Sequence, residues 1–221
     1  MATMKSRAKN VVFIDGQNFY LSAKKAFGLR YPDFDIPRLG AHLADRMDTN
    51  LDTEVRFYIG MPSSRYSPHW TRFWTNKIDD ARDRGVDVTT RDLRYLTETD
   101  PQAPGGFKVL SAREKGIDLR IGLDVVAAAR RSDCANVMIV SRDQDFREVV
   151  EDVSTMSAFT GREIGLWSAY PKVDGSRALN RGIDGTREIE VTLADYDDLR
   201  DPADYRKARP SRHDAEIPTA S

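Results

Sequence analysis

Cysteine is almost missing from this chain: Cys134 is the only one in 221 residues. An intrachain disulfide is therefore excluded, and so is a zinc site built on thiolates. Histidine is scarce, and His42, His69 and His213 stand far apart with no ligand-like spacing. Long apolar runs are absent too. Nothing approaches the ~20 residues of a membrane span, and the polar residues 1–10, with Lys5, Arg7 and Lys9, precede no secretory-type apolar stretch. The expectation is a cytoplasmic protein without a membrane partner. Excess charge of one sign is also lacking, since 34 basic residues face 35 acidic ones. Bulk electrostatics therefore neither favours nor excludes nucleic acid.

What is present is enough to fold. At 40% hydrophobic and 31% charged, the chain can bury a core under a charged surface, and its length fits one domain with tails. Short apolar runs alternate with helical patterns. Val11–Ile14 reads as a fully buried strand, followed by a helix over Asn18–Phe27 and another over Pro37–Met47. Val55–Gly60 and Val86–Thr90 read as strands around a helix over Trp70–Arg84, with Gly85 as its stop. Thr97–Gly106 is rich in breakers and reads as a loop. A helix over Ile117–Ala129, a strand at Val137–Val140, a helix over Phe146–Met156 and short strands at Gly165–Trp167 and Ile189–Leu193 complete the pattern. The alternation predicts an α/β domain with a mainly parallel sheet. The boundaries expected are a basic arm over 1–10, the domain over 11–200 and a polar, disordered tail over 201–221, which carries Pro202, Pro210 and Pro218.

Acidic residues fall where such a fold places its ligands. Asp15 closes the first strand, Asp143 and Asp145 follow the strand Val137–Val140, and Asp118 opens the best helix. In an open parallel sheet the ligand crevice lies beyond the carboxyl ends of the strands. Carboxylates gathered there repel one another unless a cation joins them, and hard oxygen donors suit Mg²⁺ or Mn²⁺. Each residue also has a plain structural reading: Asp15-Gly16 as a turn, Asn18, Asp118 and Asp145 as helix caps, Ser141 as a turn residue. Asp124 lies about 9 Å along the helix from Asp118 and roughly 120° round it, so it is an outer-shell group or a salt-bridge partner. A haloacid-dehalogenase phosphatase also begins with a strand-end Asp but needs a second Asp two positions on, where this chain has Gln17.

Phe-Ile-Asp-Gly-Gln-Asn, Lys-Gly-Ile-Asp and Ile-Val-Ser-Arg-Asp-Gln-Asp-Phe, in this order, resemble the signatures of NYN-domain proteins, PIN-like nucleases that include the bacterial LabA-like group. The resemblance spans roughly Asn10 to Ala194. It implies a Rossmann-like three-layer α/β/α sandwich and a metal-dependent endoribonuclease, with Mg²⁺ or Mn²⁺ as cofactor and products bearing a 5′-phosphate and a 3′-hydroxyl. Matched by position, Asp15, Asp118 and Asp143 are the metal ligands. Asn18, Ser141 and Asp145 match supporting positions, Asp145 sharing the catalytic work, and Asp124 is counted as a further supporting group from its place on the helix. With no histidine placed as a general base, the cation must supply the activated water. One departure stands out: Arg142 occupies a position where the family carries a small residue. It either meets RNA phosphate or crowds the site.

Single-stranded RNA is the expected partner, and a homodimer is left open. Arg91, Arg94, Lys108, Arg113 and Lys115 cluster in sequence before Asp118 and are the candidate phosphate contacts, together with Arg142. Arg65, Tyr66, Trp70, Arg72 and Trp74 form a second basic and aromatic stretch, although Trp70 and Trp74, four apart on a helix, fit a core or dimer face better than base stacking. Two other readings stay open: a catalytically weak or inactive RNA-binding module, and a small-molecule phosphohydrolase using the same metal site.

Overall fold

The structure is a computed structural model and describes residues 7–103, 105–176 and 180–206. The apolar run Val11–Ile14 forms the centre of β1 (Lys9–Asp15) and is completely buried. A strand apolar on both faces suits a sheet covered by helices on both sides. Such a sheet surrounds β1: it pairs in parallel with β2 (Asp52–Met61) on one side and with β6 (Cys134–Val140) on the other. With β3 (Asp87–Asp92), β7 (Gly165–Pro171) and β8 (Arg187–Val191) the order is β3-β2-β1-β6-β7-β8, and every pairing is parallel.

The two faces of β1 feed two cores. Val12 and Ile14 pack with α1 (Gly16–Phe27), α2 (Ile36–Asp45), α3 (Pro68–Asp83) and α6 (Leu193–Asp198). Val11 and Phe13 pack with α4 (Ile117–Arg130) and α5 (Arg147–Thr160). This is the α/β/α arrangement expected. Trp74 lies in the first core with Trp70 packed against it, so the core reading of that pair holds. Strand order reverses between β1 and β6, and the crevice beyond their carboxyl ends is where such sheets bind ligands.

Three features differ from the expectations. The stretch read as a loop is the turn of an antiparallel ribbon, β4 (Arg94–Thr99) and β5 (Phe107–Arg113), separate from the main sheet. Its residues Leu96 and Leu110 are exposed, so no alternating buried face marks it in the sequence. Aromatic contacts hold it instead, with Tyr66 at 4.4 Å from Tyr95 and 5.1 Å from Phe107 between ring centroids. The body also extends past both expected boundaries. Asn10 is fully buried, its amide donating to the carbonyls of Ala44 and Asp48. At the other end Asp201 pairs with buried Lys77, and Tyr205 packs on Phe73. Residues 1–6 and 207–221 of the expected arm and tail lie outside the described residues. Among the described residues, no helix is long and apolar enough to cross a membrane.

Candidate acidic site at the strand ends

Ile14 of β1 stands beside Val140 of β6, so the next residues, Asp15 and Ser141, leave the sheet side by side. Ser141 Oγ donates to Asp15 Oδ2 at 3.2 Å, and the other Asp15 oxygen accepts from the Asn18 N–H at 3.0 Å. Asp15, rather than Asn18, therefore caps α1. That frees the Asn18 side chain to accept from the Arg142 N–H at 3.2 Å, which ties the two strand-end turns together. Gly16 is needed for packing more than for a turn: a Cβ there would lie 2.4 Å from the Phe57 ring and 2.8 Å from the Tyr58 carbonyl.

Asp118 is not a cap either. Gly116, at φ +82°, takes the cap position in the left-handed region that glycine tolerates, leaving Asp118 in the first helical turn. Asp143 caps the short turn at Gln144–Phe146 by accepting from the Asp145 N–H at 3.0 Å, the role expected of Asp145. Asp15, Asp118 and Asp143 line one cleft of about 380 Å³ with Asn18 and Gln17.

A fourth acid completes that cleft and escaped the sequence reading. Glu114 lies on the chain entering α4, and its Oε2 accepts from the Gly60 N–H at the end of β2, 2.6 Å away. The signal was its place two residues before Gly116, in the lead-in to Asp118. It resembled an ordinary surface glutamate because its partner lies 54 residues away in sequence.

The electrostatics of the cleft are those of unneutralised acids. Burial pushes Asp15 up to about 6, helped by the charges of Asp118 and Asp143 and opposed by the bonds from Asn18 and Ser141. Burial and the Asp15 charge push Glu114 up to about 7. Asp118 is also raised, by partial burial and then by Asp143 and Asp145. Among the described residues, none of these carboxylates makes an ion pair.

The donor set fits a hard divalent cation in kind: carboxylates and an amide oxygen, with no sulfur or imidazole. Among the described residues, no three acidic, histidine or cysteine side chains already stand at ligand spacing around one point. The cleft is thus acidic and shared, not a closed cage.

The remaining expected residues separate. Asp145 lies beyond Asp118, in a groove between α4 and α5 with Leu119 and Val149. Asp124 is buried and committed, accepting from Tyr58 Oη at 2.9 Å and pairing with Arg120 at 2.7 Å. Arg113 lines the acidic cleft, and the Arg91 guanidinium borders Gly116 near its edge. Lys115 and Arg94 are exposed, while Lys108 pairs with Glu98 on the ribbon. Arg142 does not crowd the acids. Its side chain lines a neighbouring cleft, with the guanidinium 5.9 Å from the Tyr170 ring.

A crystal structure of a protein of unknown function from Vibrio parahaemolyticus is similar at 17% identity and a TM-score of 0.49, covering 86% of this chain and 96% of that one. A likeness of that size carries no argument. No curated protein matches the chain. The model of the NYN domain matches residues 9–165, from the first residue of β1 to the first of β7, and so takes in Asp15, Glu114, Asp118, Ser141 and Asp143. The chain belongs to the NYN domain family.

Proposed function

We propose that the chain is a metal-dependent endoribonuclease that hydrolyses phosphodiester bonds of single-stranded RNA in the acidic cleft. One observation carries this reading: four carboxylates line one cleft at the switch point of the sheet, and none is paired with a cation among the described residues. Membership in a nuclease-type domain family supports it. Asp15, Asp118 and Asp143 would hold Mg²⁺ or Mn²⁺, with Glu114 beside them. The bound ion would supply Lewis acidity toward the scissile phosphate and a source of activated water.

The protein's own residues do the positioning. Ser141 and the Asn18 N–H fix the Asp15 carboxylate from both sides. The Asn18 amide holds the Arg142 backbone, so the turns after β1 and β6 keep one spacing. Arg113 at the cleft wall and Arg91 near Gly116 offer positive charge to the phosphates that flank the reacting one. Asp145 acts on Asp118 through its charge.

The test is incubation of purified protein with labelled single-stranded RNA in Mn²⁺, in Mg²⁺ and in EDTA. Internal cleavage with either ion and none in EDTA is expected. RNA bound but left intact in all three would replace this reading with a binding module. Release of phosphate from small esters with RNA untouched would replace it with a phosphohydrolase.

A further inference from the structure

Beside the acidic cleft lies a second cleft of opposite character. About 460 Å³ in volume, it is lined by Lys25, Arg142 and Arg181 together with Ser22, Gln144 and Asn18. It shares Asn18 and Leu21 with the acidic cleft, so the two are neighbours along one surface. Among the described residues, no carboxylate lines it.

Its cations differ in how far they are already satisfied. Arg181 is paired with Asp184 at the rim. Arg142 and Lys25 are different, because among the described residues neither has a carboxylate partner. Arg142 is half-buried, lies over Tyr170 and is held by its backbone bond to Asn18. The cleft wall is also built: Gln144 donates to the Gly182 carbonyl at 2.7 Å and accepts from the Asp184 N–H at 3.2 Å, fixing the segment that carries Arg181. A half-buried guanidinium with no carboxylate partner among the described residues, sharing one cleft with the exposed Lys25, suits an anionic ligand.

Resting on the ribonuclease reading, we infer that this cleft is a subsite for one non-scissile backbone phosphate of the RNA strand, held by Arg142 and Lys25 at a fixed distance from the bond being cut. Asn18 joins the two functions, with its backbone on the catalytic carboxylate and its side chain on the Arg142 turn. The strand therefore runs from the acidic cleft toward α1 and the segment of Arg181.

The experiment uses a labelled 12-nucleotide single-stranded RNA and three variants, Arg142→Gln, Lys25→Gln and the charge-matched control Arg130→Gln at the far end of α4. Binding is measured in EDTA over a salt series. Cleavage in Mn²⁺ is then mapped on a pool of the same RNA carrying one neutral methylphosphonate linkage per strand. Wild-type cleavage should be depressed when the neutral linkage sits at one fixed offset from the cut bond. Arg142→Gln and Lys25→Gln should each bind about tenfold more weakly, show a salt slope shallower by roughly 0.7 per lost contact, and lose the interference at that offset. Arg130→Gln should keep it. If Arg142→Gln fails to fold, Lys25→Gln, on the exposed face of α1, gives the same readouts. Wild-type cleavage with affinity, slope and interference unchanged in both variants would overturn the subsite and leave the ribonuclease reading standing. A wild-type protein that neither binds nor cuts RNA would overturn both.

Discussion

Two regions of this molecule remove charge from water and treat it in opposite ways. On the α3 side, Lys77 is 1% exposed and meets Asp201 at 3.1 Å, while Asp35 takes two bonds from Arg84 at 2.8 and 2.9 Å. At the strand ends, Asp15 is just as buried and is raised by that burial and by the charges of Asp118 and Asp143, while burial and the charges of Asp15 and Asp118 raise Glu114; among the described residues no protein cation pairs with them. The chain can therefore neutralise its buried charges, and among the strand-end acids it does not. Acids left unpaired lower stability, so their arrangement is better explained by a ligand that brings the missing positive charge. On the proposed function, the first region serves the fold and the second a cation and its substrate.

Substitutions can break this comparison from either side. The largest effect should be on cleavage: Asp118→Asn removes a ligand charge and should lower RNA cleavage on the order of a hundredfold, with the melting temperature unchanged or raised. Rates per folded molecule in Mn²⁺, beside a melting curve, check both halves. Lys77→Ala should do the reverse. It strands Asp201 in the core, at a cost of about 3–5 kcal/mol, and should lower the melting temperature by about 10 °C while the folded fraction cuts RNA normally.

The response to pH sharpens the contrast. Asp15 and Glu114 titrate higher in the folded chain, near 6 and 7, than their ordinary values of 3.8 and 4.5. The folded state therefore holds protons that the unfolded chain releases. Their stabilising contribution is complete below about pH 4 and is lost as pH rises through 6 to 7. For buried Asp15 that swing is roughly 3 kcal/mol. Glu114→Gln should accordingly gain on the wild-type protein as pH rises from 4 to 8 without metal, and a constant difference across that range would show that Glu114 does not titrate as described. The smallest effect is expected at Asp124, which serves Tyr58 and Arg120. Asp124→Asn should cost about 1–2 kcal/mol of stability and only a few-fold in cleavage. An activity loss equal to that of Asp118→Asn would move Asp124 into the site.

Much of the site was legible because strand-end positions are set by local pattern. The apolar runs before Asp15 and Asp143 mark buried strands, and the parallel topology brings their ends together. The caps were harder to read, since acidic residues at helix starts look alike. Only the backbone shows that Gly116 displaces Asp118 from the cap and that Asp143 takes the place expected of Asp145. Glu114 was hidden because its meaning comes from Gly60, a partner on a distant strand. The ribbon was hidden because its strands bury no face of their own and depend on Tyr66 from another loop. Asp201 looked like the start of a polar tail until Lys77 was found beneath it.

The central claim is that the strand-end acids await a cation rather than support the fold, and Asp15 tests it most directly because it is the most buried of them. Asn at this position can still cap α1 and meet Ser141. The decisive measurement is the melting temperature of wild-type and Asp15→Asn protein at pH 7.5, each in EDTA and in Mn²⁺. The account predicts that the variant melts at or above the wild type in EDTA, that Mn²⁺ raises the wild type, and that the variant loses most of that rise. A variant that melts several degrees lower in EDTA and keeps the full response to Mn²⁺ would contradict it.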